Sequence, residues 1–140
     1  MPKSRINFAI ATGLLLAVVL ACNVSTANLS SLKISKEKSA SSETSSFGAN
    51  DTVYAVGTVS NAPGKVKVKG LLAFEDVEGQ KQGPIPGLEK TLELEGSGTA
   101  TYTFTPPPDG WPKGKYKIEV TLMDEKGEQK DQKSATFTVS

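Results

Sequence analysis

Histidine is absent and Cys22 is the sole cysteine, so the side chains that most often do chemistry near neutral pH are almost missing. No imidazole base, no imidazole or cysteine metal cluster and no internal disulfide can be built from this chain. Lysines, carboxylates and one tryptophan remain. Lys65, Lys67 and Lys69 alternate with apolar residues, and Lys113, Lys115 and Lys117 alternate in the same way. On strands, alternate residues share a face, so each trio forms a positive stripe that an anionic envelope polymer or lipid headgroup would fit. The ordinary reading of such stripes is a solvated, aggregation-resistant sheet surface. Trp111 stands among Pro106, Pro107, Pro108, Gly110 and Pro112. Its ring suits either sugar stacking or the closing of one end of a β-core, and the second use is the commoner. Glu75, Asp76 and Glu78 crowd one turn, and Asp124, Glu125 and Glu128 another. Loop carboxylates can bind calcium, but neither cluster has an EF-hand spacing, and a glycosidase pair would need a cleft with one raised pKa. No Gly-rich phosphate loop or nucleophile elbow is present. The expectation is therefore no enzyme, no metal and no cofactor.

The charge balance narrows the partners further. The whole chain carries a formal +1, with Lys3 and Arg5 as the basic residues before Cys22. Losing residues 1–21 would leave a charge of −1. Nucleic-acid binding needs a surplus of cations to displace counterions, and none exists here.

The first residues read as an export signal. A short basic start is followed by an apolar run containing Ala9, Ile10, Leu14, Leu15, Leu16, Val18, Val19 and Leu20, interrupted by Thr12 and Gly13. A spanning helix needs ~20 predominantly apolar residues, and this run is shorter and ends on the small residue Ala21. Val19-Leu20-Ala21-Cys22 resembles the lipobox of bacterial lipoproteins, an aliphatic residue and a small residue leading to the cysteine. Leu20 is bulkier than the usual occupant of its position. The resemblance implies cleavage between Ala21 and Cys22, a diacylglyceryl thioether on Cys22 and acylation of the new amino group, so that a palmitate-type lipid holds the protein in the membrane. Two or three acyl chains give durable anchoring where one does not. It also implies a place on the extracytoplasmic side of the bacterial cell envelope. Asn23, where an Asp would signal retention in the inner membrane, points to the outer membrane of a Gram-negative cell.

The remaining elements must be strands. Residues 22–50 are Ser-rich and read as a lipidated N-terminus and tether, with a first strand at 29–35 carried by Leu29, Leu32 and Ile34, and a mobile connection over 36–46. From residue 51 to 140 apolar and polar residues alternate, the sign of half-buried strands. Over 52–59 the inward set is Val53, Ala55, Gly57 and Val59, with Tyr54 and Val56 on the other face blurring the choice; Val66, Val68, Leu72 and Phe74 follow. Leu92 and Leu94 follow, then Ala100, Tyr102 and Phe104 with threonines opposite. Tyr116, Ile118, Val120 and Leu122 precede Ala135, Phe137 and Val139. The segments 78–79 and 83–87, rich in Gly and Pro, punctuate the middle.

No helical period is sustained after the signal. About seven short strands with regular turns predict an all-β, antiparallel β-sandwich. The run from Gly110 to Val120 is similar to the penultimate-strand entry of bacterial Ig-like domains, where Gly-x-Tyr begins the strand; this implies an Ig-like sandwich with Tyr116 as a tyrosine corner. The lysine rows would then lie on neighbouring strands, with Glu119 the one acid clearly beside them. The antibody-type cysteine pair and core tryptophan are lacking. The functional expectation is a lipid-anchored, non-enzymatic envelope protein with a structural, adhesive or accessory module. Its rivals are a glycan- or anionic-polymer-binding lipoprotein and a subunit of a larger envelope complex.

Overall fold

Strict alternation makes the sandwich, and its parity is visible in β3, where Val53, Ala55, Gly57 and Val59 are buried and the residues between them half-exposed. The computed structural model describes residues 27–140. The expected signal segment, with Ala21 and Cys22, lies outside the described residues. Eight strands follow: β1 (Asn28–Ser35), β2 (Ser46–Phe47), β3 (Val53–Ser60), β4 (Val66–Val77), β5 (Gly83–Leu94), β6 (Gly98–Phe104), β7 (Gly114–Asp124) and β8 (Gln129–Val139). There is no helix among the described residues. One sheet has the order β1-β3-β6 and the other β2-β8-β7-β4-β5. This is an Ig-like β-sandwich, antiparallel except for the short parallel pairing of β2 with β8.

Between the sheets lie Val53, Val68, Leu72, Tyr116, Ile118, Val120 and Leu122, all fully buried, with Tyr102 and Phe137 almost so. Most of the apolar set expected from alternation is buried, but Phe74, Leu92, Leu94 and Ala135 are only partly covered, and Phe47, Ala73 and Val77 join the buried residues unannounced. Tyr102 crosses from β6 to the facing sheet and donates its hydroxyl to the Val68 carbonyl at 2.5 Å. Its ring lies against Gly70, where an added Cβ would come within 2.7 Å of ring carbons. Glycine inside β4 thus admits the ring. Burial holds the Tyr102 hydroxyl well above the ordinary tyrosine range.

The N-terminal part departs most from expectation. Residues 36–46 do not form a free connection. The buried Ser35 hydroxyl donates to the Ser42 carbonyl and accepts from the Glu37 amide, each at 2.9 Å. The Thr44 amide donates to the Ile34 carbonyl at 3.0 Å. Ala40 is buried, with a φ of 54°. Phe47 then pins the segment, its ring 5.1 Å from Phe137 in an edge-on arrangement. Composition predicted a tether because the segment has few apolar residues; hydrogen bonds to backbone groups order it instead. The folded unit accordingly includes residues 27–50, and the boundary expected at residue 51 is not one.

Two strands also begin earlier than expected. β5 runs through Pro84 and Pro86, which an edge strand tolerates because its outer N–H groups have no ladder partner. β8 starts at Gln129 with residues that are polar on both faces, so alternation could not reveal it.

Candidate functional site

The register decides what the lysine rows can do. β4 and β7 are neighbours, as expected, but they run antiparallel, with Lys67 opposite Met123, Lys69 opposite Thr121, Ala73 opposite Lys117 and Asp76 opposite Lys115. Lys69 and Lys117 are therefore separated by about 13 Å along the strands. Lys65 and Lys113 lie just before the two strands, at opposite ends, and both are exposed. The single six-lysine patch does not form. Acids lie between the two groups: Lys69 pairs with Glu89 at 3.5 Å, and Lys117 lies 3.9 Å from both Glu75 and Glu119. Lys67 stands opposite Glu93 on β5. Glu119 also accepts from the Gln132 amide at 2.9 Å. Sequence order alone had placed only Glu119 on this face, because Glu75 sits at a bulge and Glu89 comes from β5, whose pairing with β4 is a matter of register.

Trp111 is 4% exposed and covers one end of the core. Its indole N–H donates to the Asp51 carbonyl at 2.8 Å, and its ring meets Tyr116 edge-on at 6.0 Å. The ring has no open face on which a sugar could stack, which corrects its inclusion as a ligand surface. Beside it, the Tyr116 hydroxyl donates to the Pro112 carbonyl at 2.6 Å, the tyrosine-corner geometry expected of this position. Tyr116 stacks on Phe137 at 5.2 Å, and burial pushes its hydroxyl up to about 12.

The two acidic turns have local work. Asp124 accepts from the Lys126 and Glu128 amides, each at 2.9 Å, and these bonds lower its pKa, the Glu128 amide most strongly. Lys130 lies 3.6 Å from both Asp124 and Glu128. Glu75 is held by Lys117 as above. No group of three or more metal-ligating side chains occurs among the described residues.

Sequence reasoning passed over a second surface. On the outer face of the three-stranded sheet, Tyr54, Val56 and Thr58 stand opposite Thr103, Thr101 and Thr99. On the other side they stand opposite Ser35, Lys33 and Ser31. Lys33 is the one charged residue in these three rows. The alternating threonines of residues 99–105 were the available signal, but their position beside Val56 and Tyr54 is a matter of pairing.

The lateral sides of the sandwich differ as well. At one side the Leu29 amide donates to the Asp131 carboxylate at 2.8 Å, tying β1 to β8. At the other, Gly87, Leu88, Glu89 and Lys90 of β5 and Tyr102, Thr103 and Phe104 of β6 line a cavity of about 210 Å³. The two strands at this side are not hydrogen-bonded to each other.

No family model and no curated relative matches the chain. Solved structures do. The C-terminal domain of wzt aligns with a TM-score of 0.54 at 12% identity, over 81% of this chain and 73% of that one. A Beta-D-Mannosidase from Dictyoglomus thermophilum aligns with a TM-score of 0.52 at 21% identity, over 81% of this chain but only 13% of the enzyme. A Niemann-Pick type C2 protein from Japanese carpenter ant gives 0.48 at 16% identity, over 81% and 92% of the two chains. At these identities the likeness is one of fold, which hosts many unrelated activities.

Proposed function

We propose that this chain is a lipid-anchored, non-enzymatic protein of the bacterial cell envelope, whose Ig-like sandwich serves as a structural, adhesive or accessory module. The observation that carries the reading is Cys22, placed directly after Val19-Leu20-Ala21 at the end of the apolar segment. Lipid on Cys22 would hold the protein on the extracytoplasmic side, and Asn23 favours the outer membrane in a Gram-negative cell. The partner is then an envelope protein or polymer, not a nucleic acid.

The start of the fold adds a geometric consequence. Ala27 is already buried, and the chain between Cys22 and Ala27 reaches at most about 18 Å when fully extended. The anchor is therefore short. The end of the sandwich that holds the start of β1 also holds the turns at 61–65, 95–97 and 125–128, since Leu29 pairs with Val59, Val59 with Gly98, and Val66 with both Leu94 and Asp124. That end faces the bilayer. The opposite end, with residues 105–113 and the 78–82 turn, is displayed outward.

The test is the Cys22→Ser precursor expressed in a bacterial host with labelled palmitate. It should remain uncleaved, unlabelled and absent from the lipid-bound fraction, whereas the wild-type chain is labelled. Normal processing of the variant would overturn the reading. The glycan-binding alternative loses its aromatic platform with the burial of Trp111. The polymer-binding alternative is weakened by the acids between the lysines.

A further inference from the structure

Residues 36–51 leave the end of β1, pass through β2 and return toward the start of β3, and one side chain closes this loop at both ends. The Asp51 carboxylate accepts from the Gly48 amide at 2.6 Å and lies 3.3 Å from the Lys36 ammonium. The Asp51 amide donates in turn to the Gly48 carbonyl at 3.2 Å, so residues 48–51 form a tight turn. Lys36 also stands over the Phe47 ring, 5.9 Å from its centre. A loop whose ends meet in this way is an Ω-loop, packed by its own side chains.

The same turn holds the ring that covers one end of the core. Trp111 has two N–H donors, and both go to this turn. Its amide donates to the Ala49 carbonyl at 2.7 Å and its indole to the Asp51 carbonyl at 2.8 Å. Gly110, with a φ of 82°, lies so close that an added Cβ would come within 3.0 Å of the Ala49 oxygen. Residues 105–113 belong to no strand, so sheet pairing does not hold them in place. An indole N–H left unpaired in the core is unfavourable. Trp111 therefore keeps its buried position only while the 48–51 turn is in place.

We infer that residues 36–51 and 105–113 open and close as one unit, with Asp51 as its latch. When Asp51 lets go of Lys36 and of the Gly48 amide, the turn loses its shape, the Ala49 and Asp51 carbonyls move, and Trp111 loses both acceptors. The reverse also holds, because coupling between two sites is reciprocal. Displacing Trp111 frees the turn, and with it the loop back through Phe47. The unit can open while the sandwich stays folded, because its ties to the sheets are local. They include the Ser35 hydroxyl, the two-residue pairing of β2 with β8, and the packing of Phe47 on Phe137 and of Trp111 on Tyr116. β4 and β7, in contrast, are paired along their length. Segments tied in so few places open at a lower free energy than the core strands. A contact made on residues 105–113 is thereby felt at residues 36–47 on the β1–β8 side. The inference does not depend on the lipid on Cys22.

The test follows amide exchange by mass spectrometry on the full chain in detergent, with Trp111, the sole tryptophan, as a fluorescent reporter. Asp51→Ala should raise exchange by about tenfold in both 36–48 and 108–113. It should also shift the Trp111 emission to the red, with β4 and β7 exchanging at the wild-type rate. Asp51→Asn keeps an acceptor for the Gly48 amide but loses the charge facing Lys36, and should do the same to a smaller extent. Trp111→Phe keeps an aromatic ring and removes the indole donor, and should raise exchange in 36–48 as well. Faster exchange confined to 36–48 in Asp51→Ala, with emission unchanged, overturns the proposal. So does a Trp111→Phe variant that leaves 36–48 fully protected. A rise of equal size in β4 and β7 would show that Asp51 supports the whole sandwich, and would overturn the proposal too. If Asp51→Ala does not fold, Asp51→Asn gives the same readings.

Discussion

The two lateral sides of the sandwich are finished differently. On the β1–β8 side the two sheets are bridged, although Leu32, Ile34, Thr44 and Ala135 still line a cavity of about 330 Å³. β2 extends the larger sheet, residues 36–45 wrap back through Ser35, Phe47 packs on Phe137, and the Asp131 carboxylate holds the Leu29 amide. On the β5–β6 side the sheets end out of step, and three leucines stay partly covered. The β1–β8 side is bridged by the segment whose composition looked least able to fold. A few well-placed apolar and hydrogen-bonding groups order a polar segment when a preformed sheet edge receives them. The open side, rich in apolar residues, stays open because no segment of the described chain lies over it.

Truncation should separate the two sides most sharply. Phe47→Ala removes a ring that is 3% exposed and should cost about 3–5 kcal/mol, read from the midpoint of urea unfolding, together with loss of amide protection across residues 35–47. Leu92→Ala, on the open side, should cost less, about 1–2 kcal/mol, because Leu92 is only partly covered. Equal costs at the two sites would erase the distinction. Asp131→Asn lies between them. Removing the charge from the Leu29 hydrogen bond should cost about 1–2 kcal/mol, with exchange at the start of β1 rising before that of β7. A variant whose β1 exchanges at the wild-type rate would show that the tie is not what holds that edge.

Alkaline pH probes the seam between the sheets. Tyr102 and Tyr116 both have hydroxyls whose pKa is raised by burial, Tyr116 to about 12. Between the unfolded value near 10 and the folded value, the unfolded state binds fewer protons, so stability falls as pH rises. The stabilisation should be intact below pH ~10 and decline above it. Tyr116→Phe should flatten part of that decline while losing the bond to Pro112. An alkaline profile identical to wild type would remove Tyr116 from the account.

Much of the larger pattern was legible in the residues. The absence of histidine and of a second cysteine removed whole classes of chemistry, because no other side chains replace those groups. Strand parity came through because a half-buried strand has a period of two, so Ala100 to Phe104 and Tyr116 to Leu122 announced their inward faces, whereas Tyr54 and Val56 blurred the choice in β3. The lysine rows were legible as rows but not as a surface, since a stripe on one strand does not say which end of its neighbour it meets. Trp111 was ambiguous for a similar reason, because a ring amid prolines can lie inward or outward.

The sequence by itself determined the all-β class, most of the inward faces and the tyrosine at the entry to β7, each set by local alternation and turn chemistry. The tertiary structure alone decided that residues 36–47 belong to the fold, that Lys69 and Lys117 stand apart among acids, and that β6 is an edge of the three-stranded sheet among the described residues. Those depend on register and on which strands lie opposite across the core. Contacts between residues far apart in the chain fix both, and no window of the sequence contains them.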